Sequence, residues 1–101
     1  MSSIVSMDSE GQILRLTVKT ERLDAASARP FKQEVEAAWP SGTSQVRIDL
    51  GAVQFVDSSG IGAILGIYKK LPTGGVVLLN VRPQVRTVIE LLRLHRIFEI
   101  Q

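Results

Sequence analysis

The chain has 101 residues, 45% hydrophobic and 22% charged, the balance of one ordinary globular domain and too little for two. It has no cysteine, so disulfides and thiolate chemistry are excluded, and the lone His95 leaves no histidine cluster for a metal, so no cofactor is expected. Twelve basic against ten acidic residues give a net charge of +2 without a dense Lys/Arg run, and neither a nucleic-acid nor a membrane partner is expected.

The opening MSSIVSMDSEG lacks the basic and apolar regions of a secretion signal. No apolar stretch approaches the roughly 20 residues of a membrane span, so the cytoplasm is the expected compartment. Ile4 to Met7 and Ile13 to Val18 read as strands flanking a hairpin turn over Asp8-Ser9-Glu10-Gly11. Asp24 suits an N-cap for a helix running to about Trp39, with Ala28, Phe31, Val35 and Ala38 as its apolar stripe. Pro30 fits only the first turn of that helix or a local irregularity, because a mid-helix proline costs about 3 kcal/mol.

Gln45 to Leu50 alternates as a strand, and the chain continues through Val53, Phe55 and Val56 to Asp57-Ser58-Ser59-Gly60. A second helix is predicted from about Ser59 to Leu71, with Ile61, Ile64, Leu65, Tyr68 and Leu71 inward. Val76 to Val81 reads as a central strand covered on both faces. Pro83 opens a third helix with Val85, Val88, Ile89 and Leu92 buried and His95 near its end, and Ile97 to Ile100 forms the last strand. The order β-β-α-β-α-β-α-β predicts an α/β fold: a mixed sheet with an N-terminal antiparallel hairpin and helices packed on it. Phe31, Trp39 and Tyr68 read as core or rim. Gly62, Gly66 and Ile67 can equally form a shallow exposed groove or pack against a neighbour.

The informative segment is Val53 to Gly62, where a strand ends, two hydroxyls follow and a helix begins. Ser58 or Ser59 can cap this helix, and the same free N–H groups, with the helix dipole, can hold a phosphate. Capping alone is the commoner reason for such residues. The glycines at 60, 62 and 66 do not fit G-x-G-x-x-G and no G-K-[ST] follows, so nucleotide binding is unsupported.

Val46-Arg47-Ile48-Asp49-Leu50 followed by Phe55-Val56-Asp57-Ser58-Ser59-Gly60-Ile61-Gly62-Ala63-Ile64-Leu65 resembles the signature of STAS-domain anti-sigma factor antagonists. The resemblance extends from Leu23-Asp24 through Gly74-Gly75 and Pro83-Gln84-Val85 to Leu94–Ile100, and implies a single STAS domain over residues 1–101. It implies a non-enzymatic partner switch. By this resemblance the unmodified protein would bind a cytoplasmic anti-sigma factor that is also a serine kinase of the histidine-kinase-like ATPase superfamily, and so free the sigma factor. The resemblance further implies that the kinase phosphorylates Ser58 with ATP and Mg²⁺, which would release the complex, and that a PP2C-type phosphatase reverses the step. Asp24, Asp57, Ser59, Gly60, Ile61 and Gly62 are implied to lie against the partner, the chain itself being a monomer or weak dimer. Two departures stand out: Glu21 and Arg93 occupy places where the family usually carries glycine.

Other STAS roles are the alternative: a stressosome subunit, a lipid-transport accessory subunit or a transporter tail. The compact chain argues against a tail, and the serine pair against the lipid-transport type. A phosphorylated Asp57, as in response-regulator receivers, lacks the acidic pair and late lysine it needs. A serine hydrolase would have only His95 as base and lacks G-x-S-x-G.

Overall fold

A computed structural model describes residues 3–73 and 75–101. The main sheet has the order β1-β2-β4-β6-β7, with β1 (Val5–Glu10), β2 (Ile13–Val18), β4 (Gln45–Asp49), β6 (Val76–Leu79) and β7 (Glu99–Ile100). β1 runs antiparallel to β2, and every other pairing in this sheet is parallel. Two short strands, β3 (Arg22–Leu23) and β5 (Phe55–Val56), pair in parallel as a separate ribbon that the sequence pattern does not announce. The helices are α1 (Ala25–Ala37), α2 (Ser58–Lys70) and α3 (Pro83–Leu91). The expected α/β class and mixed sheet are found, and the expected elements follow one another in order, with β3 and β5 added between them.

Register explains which face is buried. Leu14, Leu16 and Val18 of β2 align with Val46 and Ile48 of β4 and Val76 and Leu78 of β6. These side chains share one cluster with Phe31 and Val35 of α1, Ile61, Ile64 and Ile67 of α2, and Val85 and Ile89 of α3. The helices therefore cover one face of the sheet. The other carries Arg15, Thr17, Arg47 and Asp49, so β6 is not sandwiched between helices as expected. Val77 lies on this second face and is buried between the registered neighbours Arg47 and Glu99.

Several boundaries move. The first strand runs on through Asp8, Ser9 and Glu10, and the turn shrinks to Gly11-Gln12, with Gly11 at φ 61°. Asp8 and Glu10 stay paired with Arg15 across the hairpin, which suits solvent-facing strand positions better than a turn. α1 ends at Ala37, so Ala38 is exposed rather than part of the stripe, and Trp39 packs half-buried against the core. Pro30 stands inside α1, beyond its first turn. Its missing N–H orphans the carbonyl of Ala26, and both residues face solvent, where water can satisfy that carbonyl. On α2, Ala63 and Ile67 are buried while Leu65 and Tyr68 are half-buried, and Tyr68 meets Phe98 edge to face.

At the end of α3 the chain reverses through Arg93, which takes the left-handed conformation at φ 58°, ψ 26° that a glycine would adopt without strain. Leu94–Arg96 then form a 3₁₀ turn holding His95, which shortens the last strand to Glu99–Ile100. The reversal leaves Leu92 half exposed instead of buried. Arg93→Gly is expected to raise stability by roughly 0.5–1 kcal/mol, read as a higher urea midpoint, because it removes the left-handed penalty at an exposed site. Among the described residues no helix is long and apolar enough to cross a membrane.

Candidate functional site

The ribbon of β3 and β5 sets the site. Arg22 pairs with Phe55 and Leu23 with Val56, so the next residue of each strand, Asp24 and Asp57, opens a helix beside the other. Asp24 caps α1 through Oδ1, which accepts from the N–H groups of Ala26 (3.1 Å) and Ser27 (3.3 Å). Ser27 Oγ returns the bond, accepting from Asp24 N–H at 2.9 Å, which closes a capping box. Arg22 Nε donates to Asp24 Oδ2 at 3.1 Å while its guanidinium lies 4.1 Å from the Phe55 ring centroid. The Arg22 hydrogen bond, chiefly, holds the Asp24 carboxyl below the usual carboxylate range. Desolvation opposes this, and the Ser27 and Ala26 N–H groups reinforce it.

Asp57 does two jobs. Its Oδ1 accepts from Gly60 N–H at 3.0 Å, capping α2, and its Oδ2 accepts from Ala25 N–H at 3.2 Å, on the first residue of α1. One carboxylate therefore ties together the positive ends of two helices. The expectation that Ser58 or Ser59 caps α2 is corrected: a longer acidic side chain one residue earlier takes the free N–H, and both serines fall inside the helix. Ser58 is its first residue, exposed, and its hydroxyl hydrogen-bonds to no protein group among the described residues.

Gly60 explains how the helix starts so close to the ribbon. A Cβ there would sit 2.0 Å from Leu23 O and 2.9 Å from Val56 Cγ2, so only glycine lets the first turn of α2 rest on β3. Gly60 and Ile61 are buried and shape the site from beneath. Asp24, Asp57, Ser58, Ser59 and Gly62 are the predicted residues that reach its surface, and a Cβ on Gly62 would meet nothing within 4 Å. Of the groove expected from Gly62, Gly66 and Ile67, the two glycines border open space while Ile67 is buried.

Sequence reasoning missed Arg22, Phe55, Arg29 and Lys32. Arg22 and Phe55 meet only through the β3–β5 pairing, and two-residue strands leave no periodicity to read. Arg29 and Lys32 stand on the polar side of α1 and look like a solvated face until α2 is placed beside them, where they line a groove of about 620 Å³ with Ser59, Gly62 and Ala63. His95 lies in the 3₁₀ turn after α3, exposed and without a hydrogen bond to either serine.

Comparison with known proteins places this geometry. The STAS domain family matches residues 5–101. BtrV of Bordetella bronchiseptica, which bears the name of an anti-sigma factor antagonist, is 30% identical over 80 residues, covering 77% of this chain and 69% of that one. A crystal structure of TM1081 from Thermotoga maritima, named likewise, superposes with a TM-score of 0.82 at 24% identity, covering 95% of this chain and 84% of that one. SpoIIAA in its unphosphorylated form superposes at 0.79 with 21% identity over 96% and 87% of the two chains, and its phosphorylated Bacillus form at 0.71 with 20% identity over 96% and 90%. At these identities the structural likeness is one of fold. The match over nearly all of the chain, with the relationship to BtrV, makes this protein a member of the STAS domain family, among relatives named anti-sigma factor antagonists.

Proposed function

We propose that the protein is an anti-sigma factor antagonist switched by phosphorylation of Ser58 and acting by binding rather than catalysis. One observation supports this above the rest. Asp57, and not a serine, caps α2, which leaves the Ser58 hydroxyl exposed and unengaged at the first residue of that helix. The partner is an anti-sigma factor that is also a serine kinase of the histidine-kinase-like ATPase superfamily, and a PP2C-type phosphatase resets the switch. Relatives with these names and the two forms in which SpoIIAA has been solved support the reading.

In the transfer, Ser58 Oγ bonds to the γ-phosphorus of ATP as the bond to the β–γ bridging oxygen breaks. ADP leaves, and the hydroxyl proton passes to a base on the kinase. The product places about −1.5 to −2 charges beside the capping side chains of Asp24 and Asp57. The N–H groups of Ala25, Ala26, Ser27 and Gly60 already serve those carboxylates, so among the described residues only the Ser58 and Ser59 N–H groups at the head of α2 are left for the phosphate. A partner docked over Asp24, Asp57, Ser59 and Gly62 would have to bury that charge poorly paired, and about 4 kcal/mol of penalty lowers affinity a thousandfold. The domain need not change shape.

Incubation with the kinase and Mg-ATP, followed by peptide mapping, tests the assignment. A single phosphate on Ser58, lost in Ser58→Ala, is expected. Modification confined to another residue overturns it.

A further inference from the structure

The groove that begins at Ser59 does not stop at the phosphorylation site. Ala25, Ala28, Arg29 and Lys32 of α1 face Ser59, Gly62 and Ala63 of α2, and beyond Glu36 the cleft narrows to a shallow crease of about 20 Å³ that runs past Val35, Gly66 and Ile67 to Lys70. From Ser59 to Lys70 this is about 16 Å of helix. Its floor is apolar or bare backbone, because Val35, Ala63 and Ile67 are buried and a Cβ on either glycine would enter empty space. Its rim is cationic. Arg29, Lys32 and Lys70 have no carboxylate within 4 Å among the described residues, and Glu36 is the acidic residue lining the cleft. Lys70 Nζ is steadied 5.0 Å above the Trp39 ring, at the far end from Ser58.

We infer that the α1–α2 groove receives an acidic, apolar-faced segment of the protein that reads Ser58: its apolar side chains lie over Gly62 and Gly66, and its carboxylates meet Arg29, Lys32 and Lys70. The inference rests on the proposed switch and extends it by fixing the chemistry of the partner and a second contact region one helix-length from the phosphate. Charge decides the occupant. A second copy docked groove to groove would oppose the same three cations, whereas an acidic segment neutralises them.

The test uses the kinase that phosphorylates Ser58, titrated calorimetrically with the full unmodified chain. Gly66→Leu fills the far part of the cleft from a position with open space around it, so its thermal midpoint should match or exceed that of the wild type. Its affinity should fall at least tenfold. Lys32→Glu should weaken binding at least tenfold at low salt, and Lys32→Gln should flatten the salt dependence of the wild-type Kd. If Gly66→Leu and Lys32→Glu both bind within twofold of wild type while Ser58→Asp binds poorly, the groove inference is overturned and the switch stands. If the chain sediments as a dimer that Gly66→Leu dissociates, the occupant is a second copy and the inference is likewise overturned. Absence of phosphate on Ser58 removes the switch itself.

Discussion

Gly60→Ala should cost at least 3 kcal/mol of folding stability, at or beyond the upper end of the roughly 1–3 kcal/mol typical of overpacking. The new methyl would stand 2.0 Å from the carbonyl oxygen of Leu23 and 2.8 Å from its carbon, and backbone cannot turn aside as a flexible side chain would. Relief requires α2 to lift from β3, which would break the Asp57 N–H to Leu23 O bond and draw Ile61 and Ile64 away from the core. At about 4–8 °C per kcal/mol for a domain of this size, the melting midpoint should drop by more than 12 °C. Gly62→Ala, two residues on in the same helix, should do the opposite and gain about 0.5–1 kcal/mol, since its methyl meets nothing. Equal effects of the two substitutions would show that helix propensity, not close approach of backbone, governs this segment.

The second large effect is expected at Asp57, and two substitutions separate its two roles. Asparagine is a good N-cap, so Asp57→Asn can keep the bond from Gly60 N–H, yet its amide NH₂ would face the N–H of Ala25 donor to donor. It should cost about 1.5–3 kcal/mol, the usual loss for a hydrogen bond to a charged group. Asp57→Ala removes the cap as well and should cost about a further 1 kcal/mol. Amide hydrogen exchange distinguishes them: asparagine should release Ala25 alone, and alanine both Ala25 and Gly60. Because Asp57 joins the starts of α1 and α2, either change should also loosen the surface around Ser58.

Much of this architecture was legible in the chain. The alternation of Leu14, Leu16 and Val18, the run after Gly75 and the turn signals around the helices carry the element order, because burial on one face writes a period into the sequence. What was not legible depends on pairing between distant residues. The β3–β5 ribbon sets Asp24 beside Asp57 and stacks Arg22 on Phe55, yet each of its strands has two residues. The motif around Ser58 was readable, but the choice of cap was not, since aspartate and serine suit the position equally until the N-terminus of α1 arrives to hold the second carboxylate oxygen. Leu92 shows a local miss: its spacing fits the buried stripe of α3, but the left-handed turn at Arg93 ends the helix first and leaves it half exposed. Gly60 and Ile61 were expected at the partner surface because the motif is contiguous in sequence, whereas a helix turns each successive residue by about 100° and sends these two inward.

The proposed switch depends on phosphate at the head of α2, and the binding of two forms of the chain tests it directly. The affinity of the anti-sigma kinase should be measured by calorimetry for the unmodified chain and for the same chain carrying phosphoserine at position 58. The phosphorylated form should bind at least a hundredfold more weakly, with its near-ultraviolet spectrum and melting midpoint little changed. Equal affinities for the two forms would rule out a switch at Ser58.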